Sequence, residues 1–189
     1  MQRYIVVAML SLLSLAQPAL SQDGSGAPKK AHVKVPIIAA KPEDVSTIEA
    51  IVTASYEAIS GGIGVPRQWA RERTLNDVHA RFVSAETNPK TGETKIWSTS
   101  DQEFADQTDQ LMVKDGFTEH ELAHIIHRYG NVASVLSSYE GKSQRTGKAD
   151  RGVNIFELYN DGKRWWILSI AWDSERAGNP IPAELQSRN

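Results

Sequence analysis

The chain has 189 residues, with 21 Lys and Arg against 23 Asp and Glu, a net charge of −2, 40% hydrophobic residues and no Cys. That length suits one domain with a proper core, and the apolar content excludes a largely disordered chain. The near-neutral charge argues against nucleic acid or an anionic membrane surface as the main partner. Without Cys there is no thiol catalysis, disulfide, iron–sulfur cluster or thiolate zinc site.

Residues 1–21 read as a cleavable secretory signal. Arg3 precedes the apolar run 5–16, and Ala19-Leu20-Ser21 offers small residues at the two positions a signal peptidase reads. The apolar run is about half a bilayer-spanning helix, which leaves an uncleaved anchor as the alternative. The expected product is secreted or periplasmic, begins near Gln22 and has no stable membrane insertion after cleavage. Residues 22–42 carry Gly, Ala, Pro and Lys without helical or strand period and read as a flexible linker. The domain is expected over residues 43–185, with a short tail over 186–189.

Ile48, Ile51, Val52, Ser55, Tyr56 and Ile59 share one helical stripe, ended by Gly61-Gly62. A shorter helix is expected over 66–75, with Pro66 in its first turn. Short strands are expected over 80–84 and 93–98, around the turn Asn88-Pro89-Lys90-Thr91-Gly92. Ser100 and Glu103 form a capping-box pattern. Phe104, Thr108, Leu111 and Met112 then give an amphipathic helix ending before Gly116. Beyond Phe117 the texture is β-branched and aromatic, over 132–139, 153–159 and 165–172, with Asn160-Asp161-Gly162 a hairpin turn. Helices followed by antiparallel strands indicate an α+β fold.

His120-Glu121-Leu122-Ala123-His124 matches the H-E-x-x-H signature of zinc peptidases. On a helix the two imidazoles would face one side and share a metal, with Glu121 as base on its water. The extended form of the signature fails, because His127 and Gly130 stand where Gly and the third His belong. On a strand, His120 and His124 would share a face with Leu122 and Ile126, roughly 13 Å apart, and Glu121 would point the other way. Helix or strand therefore decides the metal.

Several ordered features resemble the nuclear transport factor 2-like (NTF2-like) superfamily, in its branch of small secreted bacterial proteins. They include Trp69-x-x-x-Arg73-x-Leu75, Ser100-x-x-Glu103-Phe104 and Gly116-Phe117-x-Glu119-x-Glu121. Tyr129-Gly130-Asn131-Val132, Ser137-x-Tyr139-Glu140, Arg151-Gly152-Val153-Asn154 and Gly162-x-x-Trp165-Trp166-Ile167 follow, and Asn179-Pro180-Ile181-Pro182 closes the set. The resemblance implies three N-terminal helices packed on a strongly curved, mostly antiparallel sheet, a cone enclosing a pocket. It also implies that 117–128 is a strand, which makes the metal signature accidental.

Fold does not fix function. Three readings follow: a secreted protein that binds a small, largely apolar molecule in the cone; a lyase, isomerase or cyclase using acid–base groups there; and a zinc hydrolase through the H-E-x-x-H segment. Tyr56, Trp69, Tyr139 and Trp172 are the expected pocket-lining residues. His124 is the expected polar group and the expected catalytic residue if there is chemistry. His79 beside Asp77, Glu157 and Asp173 are further acid–base candidates. No metal and no cofactor are expected. The expected partner is a small-molecule ligand, not nucleic acid, and a homodimer is compatible with the fold.

Overall fold

A computed structural model of the protein describes residues 32–186. The expected signal segment, residues 22–31 of the expected linker and the last three residues lie outside the described residues. Helices α1 (Pro42–Val45), α2 (Ile48–Ile59) and α3 (Trp69–Leu75) precede strands β1 (Asn76–Thr87) and β2 (Thr94–Ser100). Helix α4 (Asp101–Asp115) follows, and then β3 (Phe117–Tyr129), β4 (Val132–Ser143), β5 (Ala149–Asn160) and β6 (Trp165–Ser174). The six strands form one sheet in the order β2-β1-β6-β5-β4-β3. Only the β1–β6 pair is parallel; the others are antiparallel. The expected three helices become four among the described residues, because a one-turn helix precedes α2.

The helix boundaries have local causes. Thr47 caps α2 by accepting from the Ala50 amide, and Ser100 and Glu103 complete a reciprocal capping box on α4. Gly116 ends α4 at φ 64, and a Cβ there would meet the Ile63 backbone nitrogen at 2.7 Å, so glycine is required both for the turn and for the close approach. Helix α3 starts at Trp69 rather than at Pro66. The residues before it are held instead by Arg67, whose buried guanidinium donates to the carbonyls of Ile59, Gly61, Gly62, Val65 and Phe117. This one side chain ties the α2–α3 connection to the start of β3.

Helix α2 contacts both β3 and β6, strands three places apart, so the sheet must curl around it. Ile51, Val52 and Tyr56 on its inner stripe meet Val135, Phe156 and Ile167 of the sheet in the main core. Helix α4 packs over β1 and β2 at the other end. Its Ala105 and Met112 join Trp69 and Phe117 in a second cluster, with Val33 and Val35 against it. The end of the expected linker thus lies along α4: Asp106 accepts from the Val33 amide at 2.8 Å, and Gln102 donates to the Val33 carbonyl at 2.9 Å. Outside the sheet, residues of the 3₁₀ turn Ala183–Leu185 reach β3 and β4, and the Ser138 hydroxyl donates to the Leu185 carbonyl at 2.6 Å. Among the described residues no helix is long and apolar enough to cross a membrane.

Candidate functional site

Because α2 and α4 cover different ends of the curled sheet, a cavity of about 90 Å³ remains between them. One wall is aromatic and aliphatic. Phe82 of β1 stacks on Phe104 of α4 at 5.1 Å between ring centroids, and Phe104 meets Trp172 of β6 edge-on at 6.0 Å. Met112 and Ile170 fill in beside them. The other wall is polar and comes from α2 and from β3 to β5: Tyr56, Glu119, Tyr139 and Asn154.

The polar wall follows from strand alternation. Phe117, Glu119 and Glu121 lie on one face of β3 by strand alternation, and Glu121 pairs with Tyr139 of β4, which points inward. Ser137, two residues before Tyr139, shares that face and pairs with Asn154 of β5. Tyr139 pairs with Gly152, where a Cβ would meet the Tyr139 hydroxyl at 2.7 Å and would clash with the Asp173 carbonyl. Glycine therefore lets the Tyr139 ring lie flat against β5.

A hydrogen-bond network joins these groups. The Asn154 amide nitrogen donates to Tyr56 Oη at 3.0 Å and to Glu119 Oε1 at 3.1 Å. Tyr56 Oη is 2.7 Å from Ser137 Oγ, and Ser137 donates to Glu121 Oε2 at 2.6 Å. Glu121 Oε1 lies 2.6 Å from His124 Nδ1. Burial pushes the Glu119 carboxyl up to about 7, against the opposing bond from Asn154. Burial also pushes both Tyr56 and Tyr139 upward, with the Glu119 charge adding to it. Asp150, which accepts from Ser174 at 2.8 Å and from Tyr139 at 3.4 Å, is raised by burial as well. A second carboxyl lines the cavity. Glu72 of α3 accepts at Oε1 from Ser55, while its buried Oε2 has no partner, and burial pushes it up to about 8.

Of the residues singled out in the sequence, Tyr56, Tyr139 and Trp172 line the cavity. Trp69 does not. It packs edge-on behind Phe104 at 6.1 Å, and its indole donates to Asp109 at 2.6 Å. His124 is not a lining residue either, although a β-bulge turns it to the inner face. The β3–β4 register shifts between Glu121 and Ala123, leaving Leu122 as the extra residue. Strict alternation puts His120 and His124 together and Glu121 opposite. The bulge reverses this: His124 pairs with Ser137 and shares the inner face with Glu121, whereas His120 pairs with Glu140 on the outer face. The H-E-x-x-H residues thus lie on a strand with their two imidazoles on opposite faces, where they cannot share one ion. Among the described residues no group of three or more potential metal ligands comes together.

The remaining acid–base candidates are accounted for elsewhere. Asp77 accepts from the His79 backbone amide and from the Tyr159 hydroxyl, so it orders a strand start rather than the His79 ring. Glu157 accepts from Ser134, and Asp173 pairs with Arg176 at 2.5 Å. Glu119 and Asn154 were the residues that sequence reasoning passed over. The available signal was a carboxylate alternating with Phe117 on the inward face of a long strand, where an apolar residue is the norm.

No protein-family model matches the chain, and no curated protein matches it. Similarity to solved structures is in fold. A protein of unknown function with a cystatin-like fold from Nostoc punctiforme gives a TM-score of 0.51 at 7% identity, covering 74% of this chain and 97% of that one. A candidate scytalone dehydratase from Novosphingobium aromaticivorans gives 0.49 at 10% identity, over 75% of this chain and 91% of that one. An NTF2-like protein of unknown function from Shewanella baltica gives 0.43 at 12%, over 67% and 86%. The α+β architecture around the cavity is shared with the cystatin-like fold of the Nostoc protein.

Proposed function

We propose that this is an exported protein that binds a small molecule with an apolar ring body and one polar end in the cavity between α2, α4 and the sheet. Export rests on the signal-like segment over residues 1–21. Binding rests on one observation: the cavity opposes an aromatic wall of Phe82, Phe104 and Trp172 to a cluster of convergent polar groups at Glu119, Asn154 and Tyr56. Such a pairing selects a molecule that is apolar over most of its surface and is oriented by a few hydrogen bonds.

The test uses three small two-ring compounds: indane, 2-indanol and 2-indanone. At least one should raise the melting temperature and shift the resonances of Phe82 and Trp172. Ser84→Phe, which fills the cavity from β1, should keep the circular dichroism spectrum and lose the binding. Failure of all three compounds to bind, or binding unchanged in the filled variant, rejects the cavity as the site.

Glu119 favours a second reading, an isomerase- or lyase-type proton transfer in the same cavity. A buried carboxyl that titrates near neutrality can take a proton from carbon beside a carbonyl and return it. Bound 2-indanone should then exchange its α-hydrogens with deuterated solvent above the background rate, and Glu119→Gln should slow that exchange by roughly a hundredfold with binding kept. Exchange at the background rate in the wild type removes this reading and leaves binding alone.

A further inference from the structure

The polar wall has a direction, and simple donor counting fixes it. The Glu121 side chain, 26% exposed, offers two carboxylate oxygens that only accept. Ser137 must then spend its single hydrogen on Glu121 Oε2. With that hydrogen committed, the 2.7 Å contact between Ser137 Oγ and Tyr56 Oη can be made only if Tyr56 donates. Tyr56 Oη in turn accepts from Asn154, whose amide is held in that orientation because its nitrogen must also face the Glu119 carboxylate. His124 donates through Nδ1 to the other oxygen of Glu121 and fixes the outer end of the chain.

We infer that the chain His124–Glu121–Ser137 turns the Tyr56 hydroxyl hydrogen away from the cavity, so that its polar end takes a ligand group that donates a hydrogen bond, an alcohol or phenol rather than a ketone. The inference rests on the binding proposed above and names the chemistry of the ligand's polar end. What the wall offers is a lone pair on Tyr56 Oη beside the carboxylate of Glu119. Tyr139 does not reverse this, since its own hydroxyl points to Asp150. Glu121 and Ser137 are positioning residues, acting on the ligand through Tyr56. The H-E-x-x-H segment thereby acquires a role with no metal in it: Glu121 and His124 set the polarity of a buried tyrosine.

The experiment compares 2-indanol with 2-indanone, which are close in size and differ in whether the oxygen carries a hydrogen, by calorimetric titration at pH 8.5. There Glu119 is ionised and also an acceptor. The wild type should bind the alcohol about tenfold or more tightly than the ketone, the cost of facing an acceptor with an acceptor. Ser137→Ala removes the group to which Tyr56 donates, frees the Tyr56 hydrogen for the cavity, and should bring the two affinities together or invert them. Glu121→Gln, at the more exposed end of the chain, lets Ser137 donate to Tyr56 instead and should shift the preference the same way. It is the second variant should the fully buried Ser137 site not tolerate replacement. A general loss of packing would weaken both compounds alike and leave their ratio unchanged. Equal affinities in the wild type, or a ratio unmoved in the folded variants, overturns the inference even if both compounds bind. Absence of binding by indane, alcohol and ketone alike overturns the underlying binding proposal instead.

Discussion

The two walls of the cavity are held by different physics. The aromatic wall is packing: Phe82, Phe104 and Trp172 meet face or edge, and each position depends on neighbours filling space. The polar wall is a set of satisfied hydrogen bonds around Glu119, Asn154, Tyr56 and Ser137, carried by strands whose inner faces would otherwise be apolar. Dispersion and burial tolerate some change of shape, whereas the network fails if one donor turns round. The first wall is therefore suited to hold a ring, and the second to read its substituent.

On that division, the largest stability losses belong to the packed side. Phe82→Ala should cost about 3–5 kcal/mol, measured by urea denaturation, because the ring is 4% exposed and its Phe104 partner cannot follow it into the gap. A loss below about 1 kcal/mol would show that the wall collapses freely and is no preformed site.

An intermediate effect, dependent on pH, belongs to the buried carboxyls. Glu119 and Glu72 are raised by burial to about 7 and about 8, above the ordinary 4.5. The unfolded chain releases these protons first. Their contribution to stability is complete below about pH 4.5 and is lost as pH rises through about 7 and then about 8, by on the order of a few kcal/mol together. Glu72→Gln and Glu119→Gln should each flatten the fall of melting temperature between pH 5 and pH 9. A slope unchanged in both variants would mean that neither carboxyl is buried as described.

The smallest effect tests one bond on the polar wall. Tyr139→Phe removes a long hydrogen bond to Asp150, which keeps its bond from Ser174, so the loss should be about 1 kcal/mol or less. The preference for 2-indanol should survive this change, because it is set at Tyr56. Loss of the preference in Tyr139→Phe would move the reading group from α2 to β4.

Much of the fold was legible because its signals are local. The stripe from Ile48 to Ile59, the Ser100–Glu103 capping box, the turn at Gly92 and the stop at Gly116 each depend on residues a few positions apart, and each stands in the structure. The lining roles of Tyr56, Tyr139 and Trp172 follow from periodicity once the sheet curls. The facing of His124 relative to His120 and Glu121 did not follow, because a bulge of one residue at Leu122 reverses the facing of everything beyond it, and nothing in H-E-x-x-H distinguishes a regular strand from a bulged one. Trp69 went astray for a related reason: helical spacing gives its face, but only the arrival of Asp109 and Phe104 from α4 decides what that face meets.

By itself, then, the sequence determined the α+β class and the limits of α2 and α4, since backbone preference and apolar period are properties of neighbours in the chain. The tertiary structure alone decided the chemistry of the cavity. Asn154 reaches Tyr56 across 98 positions and Glu119 across 35. A buried carboxyl becomes an acid–base group, and a tyrosine hydroxyl acquires a direction, only when partners that distant close around them and exclude water.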